Sequence, residues 1–351
     1  MSHESARGKF LKRPPEKILI IKPSSLGDVV HSLPFLNAIR TCFPKAGIDW
    51  VIAKGLEGLL EGHPMVDRLI VIDKDRWKKI SRASSTLREL RDLFGQVGRG
   101  KYDLAIDLQG LLRSGLIAMA SRASVRIGFS EAREGSRLFY NWKVSGGRNV
   151  HAVDRYLKIA AALGCEAVDT RFPFPHAVTA AGEAEKLRRE IGEYVVVVPG
   201  ARWETKIWPA EYFGQAVARL PLRSIVVGSA SDIGISGRVV AASGGKAFSL
   251  AGKTDVSGLI EIMRGARLAI SNDSGPMHIA AAFGVPVVAV FGPTSAERTG
   301  PYGRRNVIVR SGLPCAPCFR KKCGDPKCMK QVSPEDVFRR AMELLGGGRS
   351  S

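Results

Sequence analysis

The feature that most constrains this chain is a set of short apolar runs without alternation, among them Val195-Val196-Val197-Val198 and Val287-Val288-Ala289-Val290. A strand with one face in water shows a period of two, whereas a run apolar at every position must be covered on both faces. That is the signature of parallel sheets, whose crossover connections lay helices over each side. Such runs predict strands at Lys17–Lys22, Ile48–Ala53, Arg68–Asp73, Tyr102–Gln109 and Ser124–Phe129. A second group follows at Tyr194–Pro199, Arg223–Gly228, Ala266–Asn272, Val285–Phe291 and Asn306–Arg310. Helical stretches lie between, for example Thr86–Val97, Ala152–Leu163, Ala180–Ile191 and Glu211–Leu220.

Strand–helix alternation of this kind predicts an α/β fold of two Rossmann-like domains, each with a parallel sheet and right-handed crossovers, facing a cleft. At 351 residues the chain is too long for one small core. The break is expected at Val168–Val178, where Phe172-Pro173-Phe174-Pro175 cannot continue a helix, giving domains over 17–170 and 178–346. Hydrophobic residues at 45% and charged ones at 25% exclude a disordered chain. Fifty-three Lys and Arg against thirty-three Asp and Glu leave a net charge of +20, which attracts polyanions: nucleic acid, an anionic membrane or a phosphorylated substrate. The polar, basic stretch Met1 to Lys17 lacks a signal-peptide core, and no run of about eighteen apolar residues occurs, so a cytosolic protein is expected. Cys42 and Cys165 sit in apolar settings and read as plain core residues.

Ligands of open α/β sheets bind beyond the C-terminal ends of strands, so the turns there carry the chemistry. After the strand Ala266–Asn272 comes Asp273-Ser274-Gly275-Pro276-Met277-His278. Asp273 or Ser274 can cap a helix, Pro276 suits its first turn and Gly284 its end. Free N–H groups and the helix dipole would then seat an anion such as a diphosphate, with His278 one turn in; a capped helix without a ligand is the plain alternative. A second turn, Pro199–Pro209, holds Lys206 as a point cation between Trp203 and Trp208, or is a surface loop stapled by its tryptophans. Gly292-Pro293-Thr294-Ser295 is a third, with hydroxyl and N–H groups that could meet a sugar or phosphates. In the first half, Lys22-Pro23-Ser24-Ser25-Leu26-Gly27-Asp28 carries a carboxylate past the first strand. Asp28 is either a general base, a role worth about 10²–10⁴ in rate, or the N-cap of a helix starting at Val29. Neither a Walker A sequence nor a G-x-G-x-x-G after a strand occurs, which counts against a nucleoside triphosphatase and a dinucleotide dehydrogenase.

These turns, with Asp107-Leu108-Gln109-Gly110-Leu111-Leu112-Arg113-Ser114, occur in an order that resembles the bacterial heptosyltransferases of glycosyltransferase family 9 over roughly Lys17 to Leu345. The resemblance implies a GT-B fold, ADP-heptose as donor on the C-terminal domain, inversion at the anomeric carbon and no catalytic metal. It implies Asp28 as base; donor contacts from Thr205, Lys206, Asp273, Ser274, Gly275, His278, Gly292, Pro293 and Thr294; and an acceptor side of Ser25, Gly27, Arg76, Lys78, Lys79, Arg113 and Arg133. The acceptor would be a lipid A–Kdo core, met at the anionic cytoplasmic face of the inner membrane as a peripheral enzyme. Arg68–Lys79, with Asp75-Arg76-Trp77-Lys78-Lys79, and Ala132–Asn141 look like the type I enzymes acting on Kdo, whereas the Pro-Gly-Ala-Arg-Trp loop also resembles type II, acting on the first heptose. A basic module for polyanions is the reading outside enzymology, but no nucleic-acid motif accompanies the charge, and no nucleic-acid partner is expected.

Cys315-x2-Cys318-x4-Cys323-x4-Cys328 stands in a Lys-rich loop before the last helix. Four close thiols can hold a structural zinc or iron–sulfur cluster, pair as two disulfides or stay free; the spacing matches no standard finger.

Overall fold

The computed structural model describes residues 11–73, 83–147, 149–165 and 169–347, the side chains of 83–87 excepted. The chain divides into two compact units, Met1–His176 and Ala177–Ser351. Each is built on a six-stranded parallel sheet.

In the first unit β1 (Lys17–Ile21), β2 (Gly47–Ala53), β3 (Arg68–Ile72), β4 (Leu104–Asp107), β5 (Val125–Phe129) and β6 (Trp142–Val144) lie in the order β3-β2-β1-β4-β5-β6. In the second, β7 (Tyr194–Val198), β8 (Arg223–Val226), β9 (Ala247–Ser249), β10 (Leu268–Asn272), β11 (Val287–Val290) and β12 (Asn306–Val309) lie in the order β12-β11-β10-β7-β8-β9. Read from its third strand, each sheet repeats one pattern, in which the first strand pairs with the second on one side and the fourth on the other. The order reverses beside that first strand, and the crevice left there is where such folds take ligands.

Ile18–Ile21 and Val195–Val197 have no exposed surface, because helices cover both faces. Burying each such side chain is worth about 1.5–3 kcal/mol, so these runs are where the sheets draw their stability. Trp208, also fully buried, packs edge-on against Phe213 and donates its indole N–H to Val332 O at 3.0 Å. That bond relieves the cost of burying the one polar atom of the ring.

Two edge strands, β6 and β9, go beyond the ten expected from the sequence. One expectation fails: Cys42 and Cys165 are not separate core residues but a disulfide, with Cα atoms 5.3 Å apart. The helix Leu33–Cys42 lies against the helix Ala152–Ala162, and this packing delivers the last residue of one to the chain leaving the other. No helix among the described residues is long and apolar enough to cross a membrane.

Candidate active site

The reversal point of the second sheet lies between β7 and β10, and the loops leaving these strands are clipped together by Asn272. This fully buried residue accepts the Trp208 N–H on Oδ1 (3.1 Å) and donates Nδ2 to Pro199 O (2.7 Å), holding both ends of the Pro199–Pro209 loop. Between those ends a short 3₁₀ turn, Glu204–Lys206, turns Lys206 inward. Its ammonium lies 2.6 Å from Asp273 Oδ2 and 4.7 Å from the centre of the Trp203 ring. Thr294 donates its hydroxyl to the same Asp273 oxygen at 2.5 Å. With side-chain exposures of 17% for Lys206 and 6% for Asp273, the pair is largely withdrawn from water, where removing one partner would strand a charge.

Ser274 caps the helix Gly275–Ala282, yet its hydroxyl bonds no N–H of that helix and instead meets Ser271 Oγ at 3.2 Å. The first-turn N–H groups are therefore not consumed by their own cap, and Pro276 has none to offer. The positive end of the helix thus stands beside a lysine, an arrangement suited to a diphosphate. His278 is buried one turn further in. Gly292 and Pro293 are buried too. A Cβ on Gly292 would stand 2.5 Å from Met329 Sδ, and Pro293 O accepts the Phe319 N–H at 2.7 Å. Thr205 donates its hydroxyl to Arg320 O at 2.8 Å. Of the residues expected on this side, Lys206, Asp273 and Thr294 thus form one polar cluster, whereas Thr205, Gly292 and Pro293 brace it against the loop that carries the cysteines.

In the first unit the reversal point lies between β1 and β4. The helix after β1 begins at Leu26 rather than Val29, so Asp28 is its third residue and Ser25 the cap, which corrects the expected N-cap alternative. The Ser25 N–H and hydroxyl both donate to Asp28 Oδ2, at 2.9 and 2.7 Å, and Gly27 is buried beneath the turn. The other carboxylate oxygen lies 3.9 Å from the ammonium of Lys22, which is itself 3% exposed. Burial alone would push the Lys22 pKa down, but the Asp28 carboxylate, the Tyr156 hydroxyl and Asp107 outweigh it and raise the pKa.

At the end of β4, Asp107 is fully buried, and burial raises its pKa although Tyr140 Oη (2.5 Å) and the N–H groups of Gln109 (2.8 Å) and Gly110 (3.0 Å) donate to it. The turn these bonds hold passes Gly110 at φ +67° and leads into the helix Leu112–Ala120. Arg113 is exposed in that helix, and Arg133 is exposed on the neighbouring loop, whose N–H donates to Gly110 O at 2.9 Å. Arg76, Lys78 and Lys79 lie outside the described residues. Cys315, Cys318 and Cys323 are exposed free thiols and Cys328 is half-buried. Among the described residues no three His, Cys, Asp or Glu side chains converge on a metal position.

Several residues escaped sequence reasoning. Lys22 ends a strand and gave a signal only by that position, and Asn272 acts through a bond to a residue 73 positions away, whereas Trp208, read as a staple for the following helix, packs against Phe213 of that helix. Gln109 Oε1 is buried without a hydrogen-bond partner among the described residues, beside the Leu108 carbonyl that accepts from Lys22 at 3.4 Å. An orphaned acceptor of this kind calls for a donor from outside the protein.

Residues 90–329 match the family model of glycosyltransferase family 9 (heptosyltransferase). Lipopolysaccharide heptosyltransferase 1 of Pseudomonas aeruginosa is 34% identical over 94% of this chain and 98% of its own. Among solved structures, the family 9 glycosyltransferase of Veillonella parvula covers 94% of this chain and 97% of its own at a TM-score of 0.79 and 26% identity. The Escherichia coli heptosyltransferase WaaC with ADP-2-deoxy-2-fluoro heptose covers 93% and 99% at a TM-score of 0.76 and 26% identity. The GT-B architecture, the turns at both reversal points and these likenesses agree: the chain belongs to glycosyltransferase family 9, the heptosyltransferases.

Proposed function

We propose that this glycosyltransferase moves L-glycero-D-manno-heptose from ADP-heptose to the Kdo of a lipid A–Kdo acceptor, with inversion, in lipopolysaccharide core assembly. The observation that carries the donor half is the Lys206–Asp273–Thr294 cluster beside the start of the Gly275–Ala282 helix, where the Ser274 hydroxyl bonds no helix N–H. There the arriving diphosphate takes over Lys206 from Asp273, and the freed Asp273 carboxylate accepts from sugar hydroxyls. Ser274 and Gly275 supply N–H groups, and His278 borders the site. Charge that builds on the departing diphosphate is met by groups already oriented for it.

Asp28 takes the proton of the acceptor hydroxyl as that oxygen attacks the anomeric carbon, and ADP leaves from the opposite face. The Lys22 ammonium lies 3.9 Å from the Asp28 carboxylate, and the Ser25 N–H and hydroxyl fix its orientation. Arg113 and Arg133 meet the anionic acceptor, Gln109 Oε1 accepts from one of its hydroxyls, and Arg76, Lys78 and Lys79 are assigned to the acceptor by the sequence resemblance alone. The chemistry requires no metal. The +20 charge suits a protein that works on the cytoplasmic side of an anionic bilayer, held there peripherally.

The 34% identity to a type 1 enzyme favours Kdo over the first heptose as acceptor. The test is incubation with ADP-heptose and either Kdo₂-lipid A or its mono-heptosylated form. Gain of one heptose by the first alone is expected; transfer only to the second would overturn the acceptor assignment.

A further inference from the structure

Among the described residues the first unit exposes four large apolar side chains, Val71, Leu112, Met119 and Leu138. Three of these belong to the helix Leu112–Ala120 and the short 3₁₀ turn Ser136–Phe139. Leu112 and Met119, with half-buried Leu116, recur at helical spacing and share one side of the helix. Gly115, one turn from both, is where the helix receives the turn. A Cβ there would stand 2.6 Å from Phe139 Cδ2 and 3.1 Å from Ser136 Cβ. A second tie is the Leu112 N–H, which donates to Glu134 Oε2 at 3.2 Å. The turn is itself pinned, since fully buried Ser136 donates its hydroxyl to Arg133 O at 2.8 Å and the neighbouring Tyr140 holds Asp107. Leu138 is thereby presented outward, 79% exposed, alongside the apolar stripe of the helix.

A single exposed leucine means little, but an apolar patch on fixed structure marks a surface that something covers. Charge says what. Arg113, Arg133 and Arg137 are exposed around it, and over residues 112–140 five arginines stand against two glutamates. Both glutamates accept backbone N–H groups, Glu134 that of Leu112 and Glu131 those of Gly146 and Gly147. A second copy of the same face would set arginine against arginine. Apolar side chains ringed by guanidinium groups instead match the boundary of an anionic bilayer, where hydrocarbon lies just beneath a layer of phosphates. We propose that this face of the first unit, Leu112, Met119 and Leu138 with its arginine rim, docks on an anionic lipid bilayer. The inference rests on the heptose-transfer reading for its purpose and deepens it by naming the surface. The Arg133 N–H donates to Gly110 O, so the face adjoins the turn that carries Gln109, and a lipid-anchored acceptor is met without leaving the bilayer.

Full-length protein is floated with vesicles of phosphatidylethanolamine and phosphatidylglycerol, or of phosphatidylcholine alone. No sugar substrate is present, so this inference and the transfer reading fail separately. Binding to the anionic vesicles is expected, weakening as salt rises, with little binding to phosphatidylcholine. Leu138→Glu should lower the partition coefficient about tenfold and Arg137→Glu about fivefold. Leu138→Ala, which adds no charge, should still lower it about threefold. Ile233→Glu, at an exposed apolar residue of the second unit, should leave it unchanged. Thermal melts matching the parent's are expected for all four, because these side chains are exposed. The proposal is overturned if the parent ignores the anionic vesicles or if both Leu138 variants bind them like the parent. It also falls if Leu138→Glu dissociates a dimer in sedimentation velocity, which would make the face a contact between copies.

Discussion

Replacing Lys206 with Ala tests the proposed donor site from two sides, because the ammonium that holds Asp273 is the one assigned to the diphosphate. In the free protein Asp273, 6% exposed, would keep only the Thr294 hydroxyl. Breaking a buried ion pair by removing one partner costs about 3–5 kcal/mol, and the residual exposure of Lys206 lowers this to about 2–3 kcal/mol. Such a loss would lower the melting temperature by several degrees. Asp273→Asn in the same chain removes the stranded charge and should restore most of that stability. Binding responds differently. A charge-assisted hydrogen bond to phosphate contributes about 1.5–3 kcal/mol, so ADP affinity should fall about 10- to 200-fold in Lys206→Ala and stay low in the double variant. Calorimetric titration with ADP and thermal melts of the four proteins complete the cycle. If Lys206→Ala binds ADP within twofold of the parent, Lys206 is a structural partner of Asp273 alone and the donor assignment falls.

Asp28→Asn keeps the size of the side chain, and should lower turnover by about 10²–10⁴ with ADP affinity unchanged; undiminished turnover would leave Asp28 only a partner of the Ser25 cap. Gly292→Ala drives a methyl to 2.5 Å from Met329 Sδ, an overpacking worth about 1–3 kcal/mol that a chemical denaturation midpoint would report. Glu131 receives the N–H groups of Gly146 (3.0 Å) and Gly147 (3.1 Å) and the Ser145 hydroxyl (3.0 Å). Burial alone would raise its pKa, but these donors bring it from 4.5 to about 2. Because the folded value is the lower one, the stabilisation is present above pH 4.5 and is lost as pH falls toward 2. Glu131→Gln should flatten that part of the stability–pH curve, and an unchanged acid limb would show that the carboxylate contributes nothing there.

The sheets were legible because burial on both faces leaves unbroken apolar runs in their first strands, Ile18–Ile21 in β1 and Val195–Val198 in β7. β6 and β9 carry none: Trp142-Lys143-Val144 and Ala247-Phe248-Ser249 are three-residue edges, each partly in water. The positions of Lys206, Asp273 and Asp28 after strands were readable, since turn chemistry is local. Their partners were not. Lys206 meets Asp273 only because Asn272 clips two loops across the sheet, and Lys22 reaches Asp28 by the course of the chain between them. The bridge from Cys42 to Cys165 spans 123 residues, and nothing near either cysteine announces the other. Asp28 resisted placement for a different reason: Ser25 and Asp28 are both good helix-start residues three apart, and only the folded turn shows which one caps.

The strand order shared by the two sheets has a consequence for how the chain is made. As it leaves the ribosome, β1 can pair at once with β2 and β2 with β3, but the other side of β1 stays open until Leu104–Asp107 has been synthesised. The second unit repeats the delay, since β7 waits for Leu268–Asn272. During each interval an all-apolar strand stands with unpaired N–H and C=O groups on one side, a template for pairing with other nascent chains. Fragments ending between β3 and β4, or between β9 and β10, are therefore the ones expected to aggregate, whereas a cut at the junction near His176 leaves each sheet with both flanks of its first strand filled.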